Sequence, residues 1–408
     1  MPEKALFFLS LGTLVYAWAG YPLLLAVFSR GKGGDRERLA RSPLVTILLT
    51  VHNEEQAVRE RIKNLLSLDY PADRCEILVA SDGCTDETER IVMGMAGHGE
   101  KEPHGRKPRV RLIKVEAGGK SLAQNRAIPH ANGEIIVLTD ANSRFERSAL
   151  KALVGHFADP RTGCVSGRLM PDGGSAIGES QGLYWRYEML LRRLESRIGL
   201  MHTASGMIMA FRKDLFRPFE SRYGDDCIIP LEMAARGYRV VHEEGAIVYD
   251  RFPSTVKGEL EARVRMTLRN ITGTFSRLPL LNPFRHPMLF AAVLSHRTLR
   301  WLTPYFMLFL FAANCLLLSE GSLYKAIFYF QAGFYCLGTI GYAAEKKGTR
   351  LPVASQVFSF LLANTGFFLG VLKAAGGREV TSYRNGDGLE GRQGCENTGG
   401  LGARNVQG

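Results

Sequence analysis

The chain has 408 residues, 46% of them hydrophobic and 23% charged, enough for one full domain with additional elements. Its net charge of +12 suits an anionic substrate or anionic lipid, and the sequence carries no nucleic-acid-binding motif. Its 7 cysteines include no CxxC pair, and the odd number argues against a disulfide framework or a zinc site. We therefore expect reduced thiols, a cytoplasm-facing domain and no nucleic-acid partner.

The first predicted element is Ala5–Phe28, an apolar run long enough to span a bilayer. Its length, and the lack of a small-x-small site after it, argue against a cleaved signal peptide. Basic residues gather directly after the run, at Arg30, Lys32, Arg36, Arg38 and Arg41. By the positive-inside rule we predict a transmembrane anchor at residues 1–30 of an inner-membrane protein, with the next domain in the cytoplasm.

Residues 43–280 have the pattern of an α/β domain. Short runs rich in Val, Ile and Leu alternate with helical segments, and the predicted strands are Val45–Val51, Glu76–Ala80, Arg109–Val115 and Glu134–Leu138. This alternation predicts a mainly parallel, Rossmann-like sheet covered on both faces. Ligands of such sheets bind at the carboxyl ends of the strands.

Beyond residue 280 the composition changes to that of membrane helices. Arg285–Arg300 is apolar but charged, which favours an interfacial or partly inserted helix. Three candidate spans follow, at Trp301–Leu318, Leu323–Ala343 and Leu351–Leu372. We therefore predict a multi-pass protein with interfacial and transmembrane helices over 281–375, and a disordered, Gly-rich tail at 376–408.

Polar clusters follow three of the predicted strands, and a further cluster opens a helix. In chain order they are His52-Asn53-Glu54, Ser81-Asp82-Gly83, Gly118-Gly119-Lys120 and Thr139-Asp140-Ala141-Asn142. Taken singly, each has an ordinary interpretation as a turn, a helix cap or a solvated lysine. Because the carboxyl ends of parallel strands meet at one edge of a sheet, the ordered set indicates a single polar site.

This ordered set resembles the family 2 glycosyltransferases, which have the GT-A nucleotide-sugar fold. The resemblance covers about residues 43–275 and continues into the membrane segments. It implies that His52, Asn53 and Glu54 lie against the nucleoside of a nucleotide-sugar donor. It also implies that Asp82 accepts hydrogen bonds from the base, as a carboxylate can from an imide N–H.

The resemblance further implies a diphosphate and metal site. Lys120 would contact the diphosphate as a point cation. Asp140 and Asn142 match the Asp-x-Asp metal motif of the family, although Asn142 keeps an oxygen ligand and loses a charge. The implied ion is Mg²⁺ or Mn²⁺, because hard cations prefer carboxylate, carbonyl and water ligands. It would neutralise the departing nucleoside diphosphate.

The candidate catalytic residues are Asp225 and Asp226. They resemble the Glu-Asp-x-x-Leu element of the family, in which the aspartate is the general base, so that Asp226 takes this role and Asp225 replaces the glutamate. Adjacent carboxylates favour a raised pKa on one of them, which helps proton abstraction. A helix N-cap before Ile228–Arg236 is the alternative, and both interpretations can hold together.

One further motif is only partly present. Processive polysaccharide synthases carry Gln-x-x-Arg-Trp where this chain has Arg265, with Ala262 and Met266 at the glutamine and tryptophan positions. Arg265 is expected to bind the diphosphate, and a basic helix face against anionic lipid is the alternative. The two departures favour single-sugar transfer. A later segment, His296–Pro304, is interpreted as a structural anchor at the membrane interface.

Together these features predict a membrane-bound, metal-dependent, inverting glycosyltransferase. It would move a sugar from a nucleoside diphosphate-sugar, UDP-linked, to a hydroxyl of a polysaccharide or lipid-linked acceptor. The alternative is a catalytically degenerate nucleotide-sugar-binding scaffold of an envelope polysaccharide assembly, although Asp82, Asp140 and Asp226 are all retained. A Rossmann oxidoreductase is excluded, because Gly-x-Gly-x-x-Gly does not follow the first strand.

Overall fold

The structure, a computed structural model, describes residues 1–31, 42–96, 101–102, 105–106, 108–172, 182–250, 255–349 and 351–378. Two of the sequence-based predictions concern residues outside this set. They are the basic cluster from Lys32 to Arg41 and nearly all of the predicted tail at 376–408.

A mixed, mainly parallel sheet forms the centre of the soluble domain. The described strands are β1 Val45–Val51, β2 Cys75–Asp82, β3 Lys101–Glu102, β4 Gly105–Arg106, β5 Arg109–Val115, β6 Ile135–Asp140, β7 Arg144–Phe145, β8 Thr162–Pro171, β9 Met209–Arg212 and β10 Arg239–Asp250. The main sheet has the order β5-β2-β1-β6-β9-β8-β10-β7, while β3 and β4 pair separately. All four predicted strands are therefore confirmed, as β1, β2, β5 and β6.

The register of the parallel strands explains why their polar ends meet. Val51 of β1 lies opposite Ser81 of β2, and Thr50 lies opposite Asp140 of β6. Strand β9 runs antiparallel to β6, so the loop before Met209 lies at the same edge. The carboxyl ends of β1, β2 and β6 are therefore level with one another.

Helices cover both faces of the sheet and continue into the apolar part of the chain. They are α1 Pro2–Phe28, α2 Val58–Leu66, α3 Thr88–Met95, α4 Lys120–Ala127, α5 Ala149–Val154, α6 Gly182–Ile198, α7 Asp225–Ala235, α8 Val256–Ser276, α9 Pro287–Leu316, α10 Ser322–Lys346 and α11 Pro352–Ala375. Alternate residues of β1 pack into opposite cores, Ile47 and Leu49 into one and Leu48 into the other. Both faces are buried, as predicted for a parallel sheet.

Three of the described helices, α1, α9 and α11, are long and apolar enough to cross a membrane. Helix α10 covers the predicted span at Leu323–Ala343 but does not fall within this group. We predicted an interfacial or partly inserted helix at Arg285–Arg300 and a separate span from Trp301. The structure joins most of both segments in the single helix α9, with a π-turn at Leu294–Thr298. Its charged residues can continue one apolar helix because they are buried against partners on other helices.

Candidate active site

The loops after β1 and β2 hold each other in place. Asn53 has a φ of 53°, a left-handed conformation that asparagine tolerates, and its Oδ1 accepts a hydrogen bond from the Thr85 backbone N–H at 2.8 Å. The Glu54 backbone N–H donates to Thr88 Oγ1 at 2.7 Å, and His52 Nδ1 lies 2.6 Å from the Asp82 carbonyl oxygen. The structure therefore places the predicted nucleoside-binding residues together in the loop after β1, which hydrogen bonds hold to the loop after β2.

Glu54 is half-buried beside other acidic groups. Burial is the largest cause that raises the pKa of its carboxyl, and the negative charges of Asp140 and Asp86 raise the pKa further. The negative charge of Asp140, at the end of β6, therefore acts on the carboxyl of Glu54, in the loop after β1.

Asp82 supports the glycine loop that leads into α4. Its Oδ1 accepts a hydrogen bond from the Gly118 N–H at 2.8 Å, and its Oδ2 accepts one from the Gly119 N–H at 2.9 Å. Gly119 has a φ of +90°, which disfavours any residue with a side chain. The carboxylate therefore fixes the start of α4, where Lys120 stands, and its contact with a base stays a prediction.

Lys120 bridges two carboxylates from different elements. Its Nζ lies 2.7 Å from Asp140 Oδ1, at the end of β6, and 3.1 Å from Asp225 Oδ2, at the start of α7. Nζ also donates to the Gly206 carbonyl oxygen at 3.4 Å, in the loop before β9. The side chain is only 13% exposed, so the interpretation as an ordinary solvated lysine is wrong.

Asp225 and Asp226 form the first turn of α7 and the N-cap is Gly224, so the alternative interpretation of either aspartate as the N-cap is wrong. Burial by itself would raise the pKa of Asp225, but Lys120, a hydrogen bond from Gln124 and the charge of Arg269 outweigh it and lower that pKa. For Asp226, burial and then the charge of Asp225 raise the pKa. One carboxylate is thus held ionised while its neighbour becomes the better proton acceptor.

Two residues of this cluster, Gln124 and Arg269, were not predicted from the sequence. Gln124 Nε2 donates to Asp225 Oδ2 at 2.8 Å, and Arg269 Nη2 donates to the Tyr223 carbonyl oxygen at 2.6 Å. Each lies four residues after a residue that we had selected, Lys120 or Arg265, and so on the same helix face. The four-residue spacing was the signal in the sequence that could have identified Gln124 and Arg269. Arg265 itself is half-buried one turn earlier, and its contact with a diphosphate stays a prediction.

The turn after β6 carries Asp140 and Asn142, the two predicted metal ligands. The Asp140 carbonyl oxygen accepts hydrogen bonds from Arg61 Nε at 3.1 Å and from Ser143 Oγ at 3.0 Å, which fixes the turn that carries exposed Asn142. Within the described part of the chain, no group of three His, Cys, Asp or Glu residues could hold a metal. Two oxygen donors completed by phosphate and water oxygens nevertheless suit Mg²⁺ or Mn²⁺. The residues fit such an ion.

Two family models match this chain. The model of Glycosyl transferase family 2 matches residues 46–218, and the model of Glycosyl transferase family group 2 matches residues 135–342, just over half of the chain. The chain is 27% identical over 289 residues to the "Probable glycosyltransferase YdaM" of Bacillus subtilis (strain 168), covering 65% of this chain and 66% of that protein.

Two other relatives cover less of both chains. The chain is 25% identical over 228 residues to the "Poly-beta-1,6-N-acetyl-D-glucosamine synthase" of Staphylococcus aureus (strain COL), covering 54% of this chain and 53% of that protein. It is 29% identical over 184 residues to the "Beta-monoglucosyldiacylglycerol synthase" of Nostoc sp. (strain PCC 7120), covering 44% of this chain and 36% of that protein. The chain therefore matches between 36% and 66% of the length of these three relatives.

A solved structure agrees with the fold. The mannosyltransferase PcManGT from Pyrobaculum calidifontis, in complex with GDP-Man and Mn²⁺, superimposes with a TM-score of 0.64 at 22% identity. The match covers 91% of this chain and 99% of that one, which extends the shared architecture beyond the sheet domain. The chain therefore belongs to the family 2 glycosyltransferases and has their GT-A fold.

Proposed function

We propose that this protein transfers a sugar from a nucleoside diphosphate-sugar, UDP-linked, to a hydroxyl of a polysaccharide or lipid-linked acceptor. One observation carries this proposal: Lys120 bridges Asp140 and Asp225 directly beside Asp226. A cation for a diphosphate, at the start of α4, and a carboxylate with a raised pKa, at the start of α7, thus lie in one cluster. Glycosyl transfer to a hydroxyl needs both groups.

In the proposed mechanism, Asp226 accepts the proton of the acceptor hydroxyl. The acceptor oxygen then forms a bond to the anomeric carbon from the face opposite the diphosphate. The bond between that carbon and the phosphate oxygen breaks, its electron pair leaves with the nucleoside diphosphate, and the configuration inverts. Lys120 stabilises the charge that develops on the departing diphosphate.

The donor-side residues complete this proposal. His52, Asn53 and Glu54 would contact the nucleoside, Asp82 the base, and Arg265 the diphosphate. Asp140 and Asn142 would hold the Mg²⁺ or Mn²⁺, which when bound neutralises charge on the diphosphate. The GDP-Man and Mn²⁺ of the mannosyltransferase structure support a nucleotide-sugar and a divalent ion at a fold of this kind.

The acceptor and the location are proposed from the membrane helices and the relatives. Helices α1, α9 and α11 support an inner-membrane protein, and the basic residues after α1 support a cytoplasmic catalytic domain. The relatives named for a polysaccharide and for a glucosyldiacylglycerol support a glycan or lipid-linked acceptor. Membrane lipid is then a partner of the protein.

The first test measures nucleotide release from a panel of UDP- and GDP-sugars. Purified full-length protein in detergent, supplied with bacterial membrane lipids as acceptor source, is assayed with Mn²⁺ or Mg²⁺ and with EDTA. We expect metal-dependent release from one donor, reduced by about 10²-fold or more in Asp140→Ala and Asp226→Asn. Asp73→Asn is the matched control, because the side chain of Asp73 is 67% exposed and lies outside the cluster.

The outcomes separate the proposed enzyme from a scaffold. Full transfer activity in Asp226→Asn would contradict the assignment of Asp226 as the base. Donor binding by calorimetry without release from any donor, also when other lipid and glycan acceptors are supplied, would favour the nucleotide-sugar-binding scaffold. Neither release nor donor binding would contradict both the enzyme and the scaffold.

A further inference from the structure

The π-turn of α9 presents two adjacent buried side chains to two different partners. It spans Leu294–Thr298, within a helix that is long and apolar enough to cross a membrane. His296 and Arg297 are 3% and 8% exposed, so both are withdrawn from water and from lipid. Single π-turns inside α-helices occur frequently at functional sites, because the extra residue redirects the side chains that follow.

His296 ties this turn to α6. Its Nδ1 lies 2.9 Å from Glu195 Oε1, and its Nε2 lies 3.2 Å from Glu188 Oε2. The Tyr21 hydroxyl of α1 donates to the same Glu195 oxygen at 2.6 Å. These contacts from three helices fix the orientation of the π-turn, and with it the direction of the next residue.

Arg297 points instead to the start of α7. Its Nη1 donates to Cys227 Sγ at 2.7 Å and to Thr274 Oγ1 of α8 at 3.2 Å. Cys227 directly follows Asp226, so the guanidinium lies against the helical turn that carries the proposed base. A membrane helix therefore contributes a cation to the buried side of the candidate active site.

Charged groups face Asp226 from four elements. Asp225 comes from α7 itself, Lys120 from α4, Arg269 from α8 and Arg297 from α9. Lys120 is shared with Asp140 and Asp225, and Arg269 is bound to the Tyr223 carbonyl oxygen and to Ser121. The charge of Arg297 also lowers the pKa of Asp226, against the larger effects of burial and of Asp225.

We propose that Arg297 is a positioning residue for Asp226, which braces the first turn of α7 against the membrane helix and offsets the negative charge of the base. This inference rests on the proposed function, because it takes Asp226 as the proton acceptor. It assigns a chemical role to a segment that the sequence indicated only as a membrane anchor. The membrane helix is then part of the catalytic apparatus.

The test compares the pH profiles of kcat and KM in Arg297→Gln, Arg297→Lys and Arg285→Gln. Asp226 must be ionised to accept a proton, so loss of the nearby cation should move the acid limb of kcat in Arg297→Gln to higher pH by about one unit. We expect little change in the donor KM. Arg297→Lys keeps the cation and should return the acid limb to near its wild-type pH. Arg285→Gln removes an equal charge from an exposed position and should show no shift.

A second readout does not depend on activity. The infrared band of the protonated Asp226 carboxyl, obtained as wild type minus Asp226→Asn, should titrate at higher pH by about one unit in the Arg297→Gln background. An unchanged midpoint, or an equal shift in Arg285→Gln, would overturn the proposal. If Arg297→Gln does not fold, Arg297→Lys decides: it should keep a near-wild-type midpoint with a lower kcat, and unaltered kinetics would overturn the proposal.

The two failures are distinguishable. A wild-type protein that transfers no sugar contradicts the proposed function, while the infrared titration still reports on Arg297. A wild-type protein that transfers sugar, with an unshifted Arg297→Gln titration, contradicts only the role of Arg297.

Discussion

Two adjacent carboxylates at the start of α7 have different surroundings. Asp225 points to Lys120 and Gln124, whereas Asp226 lies beside Gly224, where an added Cβ would stand 2.6 Å from Asp226 Oδ1. Since Gly224 has an ordinary φ of −79°, backbone strain does not explain the glycine. The space that the missing side chain leaves is needed by the candidate base.

We therefore predict that Gly224→Ala lowers kcat by about 10²-fold, because a displacement of about 1 Å at a catalytic group has this effect. The folded state should be retained, since only the first turn of α7 must adjust. Steady-state kinetics together with a melting temperature check this prediction. Gly94→Ala is the matched control, because an added Cβ there meets nothing within 4 Å. Unchanged kcat in Gly224→Ala would show that the position of Asp226 is not critical.

Between elements, a close helix contact joins α8 to the apolar helix α11. A Cβ at Gly366 would lie 2.7 Å from Arg263 Cβ, and one at Gly370 would lie 2.6 Å from Thr267 Cγ2. The glycines are four residues apart, as are their partners, which is the small-xxx-small pattern of closely packed membrane helices. Helix α8 also carries Arg269, so this packing supports the candidate site.

Gly370→Ala should destabilise the protein by roughly 1–3 kcal/mol through overpacking, although alanine is the better helix former. Gly333→Ala in α10 is the control, because a Cβ there meets nothing within 4 Å and should leave stability equal or higher. Thermal unfolding in detergent measures both variants. A rise in melting temperature for Gly370→Ala would mean that α8 and α11 are less tightly packed.

At the scale of the molecule, a buried ionic cluster joins the sheet domain to α9, a helix long and apolar enough to cross a membrane. Glu188 of α6 accepts hydrogen bonds from Arg192 at 2.9 Å and from Arg300 of α9 at 2.7 Å. Burial would raise the pKa of Glu188, but the charges of His296, Arg300 and Arg192 outweigh it and hold that pKa well below its ordinary value. The two parts of the chain are therefore expected to unfold together.

We predict that Glu188→Gln destabilises the protein by about 3–5 kcal/mol at pH 7, because it leaves buried cations without their counter-charge. The folded-state pKa is depressed, so the contribution of Glu188 is fully present above the ordinary glutamate value of about 4.3 and is lost as the pH falls below it. Unfolding at pH 7 and pH 4 should show the difference between variant and wild type narrowing in acid.

The control for this measurement is Glu60→Gln, whose side chain is 72% exposed and pairs with Lys63 in an exposed contact at 2.7 Å. We expect a change within about 0.5 kcal/mol for this variant. An equal loss of stability in both variants would contradict a specific role for the buried cluster.

Local patterns in the chain were enough to predict β1, β2, β5 and β6, the polar clusters at their ends and the helix that begins at Asp225. They could not predict which cation would pair with Asp225, nor that Arg269 would lie in the candidate site. Nor did they predict, after residue 280, that the ionisable residues of α9 are buried. His296 and Arg300 lie against α6, and Arg297 lies against α7 and α8. Charge in an apolar helix does not reveal whether its partner is water or another helix.

By itself, the sequence determined the α/β pattern, the order of the polar clusters and the family resemblance, because periodicity and turn chemistry act over a few residues. Only the tertiary structure decided that Lys120 lies between Asp140 and Asp225, and that Arg297 and Glu188 connect the apolar helix α9 to the sheet domain. These contacts join residues distant in the chain. Their proximity follows from strand order and helix packing, which no local pattern contains.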